Sequence, residues 1–205
     1  MKYEWRKVEK QVYLPKEIEV REIPKYSFLI LEGMGNPNNN SHYASQIEAL
    51  YSVSYSLRMS LKKQGFEYTV YPLEGVWTTS DGSKDENLNK DALVYRIMIR
   101  QPEQVTAEMV QQAMKEVRLK KGNPRIEDIQ FEAYEDGMVV QGIHVGTFET
   151  EIETFRKIDQ FLEEMPFKRD WIMDTYVHRE IYLSDFRRVA PEKRKTLLRY
   201  KLKEK

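Results

Sequence analysis

Two glutamates are the residues best placed to move a proton or hold a cation. The first, Glu180, sits in Tyr176-Val177-His178-Arg179-Glu180-Ile181-Tyr182-Leu183. Read as a strand, successive side chains point to opposite faces. Val177, Ile181 and Leu183 then share one face with Arg179, while Tyr176, His178, Glu180 and Tyr182 share the other. A carboxylate fixed among aromatic rings is costly to bury without a partner, so that face is the candidate binding site. The second, Glu151, opens a helical stretch in which Glu151, Phe155, Ile158 and Leu162 recur at i, i+4, i+7 and i+11. This spacing puts the carboxyl on the apolar face, in the first turn, where the helix dipole favours its charge. It reads either as an ordinary N-terminal Glu at the margin of the stripe or as a second pocket carboxylate opposite Glu180. Two carboxylates in unlike environments can divide base and acid roles.

Other candidates are weaker. In Tyr71-Pro72-Leu73-Glu74-Gly75-Val76-Trp77, strict alternation separates Glu74 from Trp77, whereas a bulge at Gly75 would bring both side chains to one side; an edge-strand Glu with Trp77 capping the core is the competing reading. His144 ends a strand facing with Met138 and Val140, the usual setting of a hydrogen-bonded core histidine. With three histidines at no metal-ligand spacing and no cysteine, neither a zinc site nor thiolate chemistry is expected. Gly33-Met34-Gly35 lacks the third glycine of a dinucleotide fingerprint, no phosphate-binding P-loop is present, and no serine sits in a nucleophile elbow. No cofactor is expected.

The elements that must position these residues read as two copies of one pattern. Extended segments at 17–23 and 27–31 lead to a helix at 42–64 with Ser41 as its cap, then strands at 68–77 and 92–99. An amphipathic helix at 106–121 follows. A strand at 138–145, a helix at 147–165 and strands at 175–183 and 195–202 complete the second copy. The expected architecture is α+β, a duplicated β-α-β-β repeat with pseudo-twofold symmetry. One domain over 1–205 contains repeats at about 15–103 and 128–205 joined by the linker helix, because neither half alone can cover both sheet faces. The cleft between the two sheets is the expected pocket.

Composition narrows the partners. The 205 residues hold 33 basic and 33 acidic side chains, so no global field recruits nucleic acid or an anionic membrane. The basic tail (Arg187, Arg188, Lys193, Arg194, Lys195, Arg199) is interrupted by Asp185 and Glu192 and reads as a solvated face. The N-terminal residues Met1-Lys2-Tyr3-Glu4-Trp5-Arg6 lack an apolar signal core and no apolar run is long enough to span a bilayer; together with the lack of cysteine, this suits the cytoplasm. The 13 Tyr, 3 Trp and 8 Phe suit pocket walls as well as cores.

Four motifs in order resemble the stand-alone GyrI-like small-molecule-binding family across nearly the whole chain. They are Pro72-Leu73-Glu74-Gly75-Val76-Trp77; Met98-Ile99-Arg100-Gln101-Pro102; Val140-Gln141-Gly142-Ile143-His144-Val145-Gly146 with Glu151; and His178-Arg179-Glu180-Ile181-Tyr182-Leu183-Ser184-Asp185, continuing through Arg187-Arg188, Ala190-Pro191-Glu192-Lys193 and Lys195-Thr196. The resemblance implies the duplicated effector-binding fold (SHS2-type repeats) and an aromatic-walled cleft with a central glutamate, at the position of Glu180. In related multidrug-sensing regulators that glutamate holds lipophilic cations. Some stand-alone members open the cyclopropane of DNA-alkylating natural products by hydrolysis. On this basis Glu180 and Glu151 are assigned acid–base work. Trp77, Tyr55, Tyr95, Trp171 and Tyr182 are candidate walls by alternation and helical spacing, with Glu74 and His144 in support. The implied partners are hydrophobic planar small molecules, and the alternative to hydrolysis is sequestration or sensing of such drugs. The sequence departs from the family at Val76-Trp77-Thr78, where a second Trp is common, and at Thr147-Phe148, where Pro-Tyr is common. No helix-turn-helix precedes the domain, which argues against a complete one-component transcription factor.

Overall fold

The computed structural model describes residues 2–185 and 188–205; Arg187 of the basic tail lies outside them. Seven strands alternate with five helices: α1 (Trp5–Val8), α2 (Lys10–Tyr13), β1 (Glu19–Met34), α3 (Ser41–Lys63), β2 (Leu73–Thr79), β3 (Leu93–Gln101), α4 (Ala107–Lys121), β4 (Gln130–Val145), α5 (Glu151–Glu163), β5 (Phe167–Asp170), β6 (His178–Tyr182) and β7 (Lys195–Glu204). The fold is α+β, and the order β1-α3-β2-β3 recurs as β4-α5-β6-β7, with β5 inserted.

Local chemistry explains most boundaries. Asn40 caps α3 by accepting from the His42 amide at 2.9 Å, so the helix begins one residue after the true cap, and Ser41 is its first residue. Thr106 caps α4, and Gly122, left-handed at φ +68°, ends it where a side chain would be strained. β1 is one continuous strand where two short ones are expected, and β4 begins eight residues earlier than its apolar pattern indicates. The unforeseen residues, 24–26 in β1 and 130–137 in β4, are exposed or half-buried apart from Asp136, and pairing of β4 along β1, Lys25 with Glu135 through Ile30 with Gln130, holds them extended.

The sheet runs β4-β1-β3-β2-β6-β7, and β4 also pairs with β7, closing an antiparallel barrel. Closure corrects the expectation of two sheets with a cleft between them. Pairing of β1 with β4 and of β2 with β6 stitches the two halves into one sheet, and the space inside it is filled. There the Arg179 guanidinium, fully buried, donates to Glu74 Oε2 at 2.9 Å and to Asp136 Oδ1 at 3.0 Å. Arg199 donates to Asp136 Oδ2 at 3.3 Å and to Gln141 Oε1 at 2.8 Å. Phe28, Ile30, Val76 and Met98 pack beside this cluster. The outer face is covered by helices. α3 packs on β1 and β3, and α5 on β4 and β7 through Ile158 with Val140 and Leu198. Helices α1 and α2 lack a strong apolar period and are not foreseen; Glu9 anchors them by pairing with Arg100 at 2.6 Å and accepting from the Tyr3 and Tyr71 hydroxyls.

Candidate functional site

Between α3 and α5, over the outer face of β2 and β6, lies an open cleft of about 1880 Å³. It is larger than the pocket of a typical drug-sized ligand. Register fixes its floor. Gly75 pairs with Glu180 and Trp77 with His178, so these four residues share the outer face, while Glu74, Val76, Arg179 and Ile181 share the inner one. Alternation along β6 therefore places Glu180 as the sequence indicates. The strand begins only at His178, however. Val177 before it lines the cleft, and Tyr176 packs with Phe28 and Ile30 instead of joining the Glu180 face.

Glu180 is held by two neighbours on its own strand. His178 Nε2 lies 2.9 Å from Oε1 and the Tyr182 hydroxyl donates to Oε2 at 2.8 Å. An ionised Glu180 only accepts, so the facing imidazole nitrogen then carries the proton. The His178 ring is fixed by the edge of Phe155, with centroids 4.8 Å apart. Tyr43 of α3 lies within hydrogen-bonding reach of Tyr182. Burial, and then the charge of Glu180, push both phenols above their ordinary range, so both stay neutral donors.

Glu151 enters from the opposite side, as the first residue of α5, only 5% exposed. Thr196 of β7 lies beside its carboxyl, and Oε1 has no partner among the described residues. Burial first and the charge of Glu180 second raise its pKa well above the carboxylate range, and Thr196 partly offsets the rise. The cleft thus brings together two carboxyls in unlike settings, Glu180 held by two hydrogen bonds and Glu151 buried with its proton held more tightly than usual. His144 supports this arrangement from behind. Its Nδ1 lies 2.9 Å from Thr154 Oγ1 and its Nε2 3.0 Å from the Thr147 carbonyl, pinning the turn that presents Glu151.

The remaining candidates divide. Trp77 and Tyr182 line the cleft, and Tyr55 lies at its lip, 53% exposed and stacked on Tyr51. Tyr95 lies beneath the wall; it backs Trp77 at 5.0 Å and donates to Gln46 Oε1 at 3.1 Å. Glu74 is not in the cleft. β2 keeps an unbroken register with β3, no bulge forms at Gly75, and the side chain points inward to Arg179. Trp171 is also elsewhere, half-exposed beside Thr78, Thr79 and Asp174 in a separate shallow groove. Tyr43, Ile47 and Tyr51 line the cleft but are not among the site residues read from sequence. With Tyr55 they recur at i, i+4, i+8 and i+12, a second stripe beside the core stripe of α3 that could have identified them. Phe148, which meets Tyr182 edge-on at 6.0 Å, carried no comparable signal.

Among the described residues no group of three or more His, Asp or Glu side chains could hold a metal ion, and no helix is long and apolar enough to cross a membrane. The model of the GyrI-like small molecule binding domain matches residues 16–203. Three crystal structures from Listeria innocua superpose on nearly the whole chain. One is of an uncharacterized conserved protein (33% identity, TM-score 0.89, covering 98% of this chain and 100% of that one). The others are of proteins called hydrolases: one has 31% identity and a TM-score of 0.86, covering 98% and 100% of the two chains; the other has 32% and 0.88, covering 99% and 100%. The C-terminal domain of EcmrR shares the fold at 13% identity and a TM-score of 0.55, covering 95% and 99%. No curated protein matches the chain.

Proposed function

The chain belongs to the GyrI-like small-molecule-binding family, and from that premise we propose that it is a hydrolase opening the strained ring of cyclopropane-bearing, DNA-alkylating natural products. The observation that carries this reading is the pair of unlike carboxyls on one cleft, Glu180 held by two hydrogen bonds and Glu151 buried with its pKa raised. Holding a cation needs only one negative charge; a second carboxyl kept protonated beside it is the arrangement general acid–base catalysis needs. The two hydrolases of Listeria innocua at 31% and 32% identity support the same class of reaction.

In the proposed step Glu180 takes a proton from water as its oxygen attacks a ring carbon. One ring C–C bond breaks, and its electron pair passes into the electron-accepting group conjugated with the ring. The proton of Glu151 neutralises that charge, and the net change is addition of one water. Transfer of a proton from Glu180 back to Glu151 through solvent restores the enzyme. The aromatic walls, Trp77, Tyr182, Tyr51 and Phe155, hold a planar substrate by stacking. His178 and Tyr182 fix the base, which places the attacking water.

The test is incubation of purified protein with a cyclopropane-bearing alkylator, followed by mass spectrometry. Product heavier by one water, formed at a rate proportional to enzyme, is expected. A competing reading is non-catalytic binding of lipophilic, often cationic, drugs, favoured by the negative Glu180 among rings that can also meet a cation face-on. Saturable binding of such a drug with no water adduct at any enzyme concentration selects it.

A further inference from the structure

The floor of the cleft contains a hydrogen-bond donor with nothing to donate to. Trp77 is 5% exposed, and its indole Nε1–H has no partner among the described residues. The nitrogen lies flat against the backbone of Gly75. A Cβ built there would sit 2.5 Å from Nε1 and 3.2 Å from the Tyr182 hydroxyl. Only glycine lets the indole lie so low, beside Glu180, which Gly75 faces across the strand pair. The contrast with Trp5 is direct, since that equally buried indole donates to the Val70 carbonyl at 3.0 Å.

An unmet buried donor costs about 1–3 kcal/mol, and such groups in folded proteins call for an explanation. An indole N–H can only donate, so whatever satisfies it must bring an acceptor. The neighbouring hydroxyls of Tyr182 and Tyr95 donate to Glu180 Oε2 and to Gln46, and neither oxygen accepts from the indole. Tyr43, its ring centroid 6.2 Å from that of Trp77, and Tyr182 line the cleft beside the indole, so a ligand would reach the N–H by displacing one of them.

We infer that the cleft selects planar aromatic molecules bearing a carbonyl oxygen on one edge, with Trp77 Nε1–H as the donor that receives it. Trp77 is then a specificity-determining residue as well as a stacking wall, and Gly75 keeps its N–H at the depth the carbonyl reaches. A hydrocarbon of the same outline stacks as well but leaves the donor unmet. This rests on the reading of the cleft as the site for planar ligands, and it adds the chemical group such a ligand must carry.

Titration calorimetry with 9-fluorenone and fluorene, two rigid planar probes differing at the carbonyl, tests it in the intact protein. Wild type should bind fluorenone about five- to tenfold more tightly than fluorene, the range of one hydrogen bond to a neutral acceptor. Trp77→Phe should bind both alike, with fluorene affinity within about threefold of wild type. In 15N-labelled wild type, which needs no substitution, one of the three indole N–H signals should move downfield with fluorenone and stay in place with fluorene. Equal affinity of wild type for the two probes, or a ketone preference that survives Trp77→Phe, overturns the inference and leaves the planar-ligand reading standing. If neither probe binds wild type, both fall together.

Discussion

At the scale of single residues, the site turns on two glutamates that share a cleft and differ in surroundings. Glu180 has two donors of its own and a side chain 14% exposed, whereas Glu151 has a buried oxygen without a partner. Replacing Glu180 by Gln keeps shape and removes the base. Turnover of a cyclopropane substrate should fall below detection while affinity for a planar ligand changes less than about tenfold; parallel rate and calorimetric measurements on the variant check this. Glu151 makes a prediction about stability. Its folded pKa is raised, so between the unfolded value and the folded one the native state holds a proton that the unfolded chain has lost. Stability must therefore fall as pH rises through that window, by at most about 1.4 kcal/mol per pH unit. Glu151→Gln cannot ionise and escapes the loss. Its melting temperature relative to wild type should climb as pH rises above about 4.5, the ordinary value of the carboxyl, and a constant gap would mean that the carboxyl is not held neutral. Both glutamates were legible in the sequence, Glu180 from alternation and Glu151 from helical spacing. The inward turn of Glu74 was not, because it depends on Arg179 and Asp136 meeting across strands far apart in sequence.

At the scale of elements, β6 is a short strand with two unlike faces. Outward it presents His178, Glu180 and Tyr182; inward it presents Arg179, whose guanidinium ties it to β2 through Glu74 and to β4 through Asp136. A slip of one residue would drive Glu180 into the barrel and Arg179 into the cleft. Each alternative is costly, so the inner ion pairs fix the direction in which the outer carboxylate points. Arg179→Ala leaves Glu74 and Asp136 buried with one cation fewer between them. A loss of about 3–5 kcal/mol is expected, seen as a drop in the urea midpoint, and a smaller loss than about 1 kcal/mol would deny the cluster that role. Helix positions and most strands could be read from period and caps. The junction at 24–26 in β1 and the first eight residues of β4 could not, since their residues are polar enough to pass for loop and become strand through pairing between β1 and β4. Likewise Tyr71 and its neighbours at 68–72 are extended without joining the sheet, an outcome that strand propensity alone does not separate from β2.

At the scale of the whole molecule, the duplicated order of elements was readable because each copy is local, but barrel closure was not, because it depends on which distant edges meet. Closure has a thermodynamic consequence. The two edge strands of the first half's β1-β3-β2 ladder each pair with a strand of the second half, β1 with β4 and β2 with β6, and the inner ion cluster draws Glu74 from one half and Asp136, Arg179 and Arg199 from the other. Unfolding either half alone would expose two unpaired edges and strand buried charges in the half that remains. The two halves should therefore unfold together despite their length. Trp5 and Trp77 lie in the first half and Trp171 in the second, so in Trp171→Phe the fluorescence reports the first half while far-ultraviolet circular dichroism reports both. In urea the two signals should trace one transition with the same midpoint. If fluorescence completes its change while the dichroism still has a second step to make, the halves are separate units, and a cleft floored by β2 from one and β6 from the other would need a different account of its rigidity.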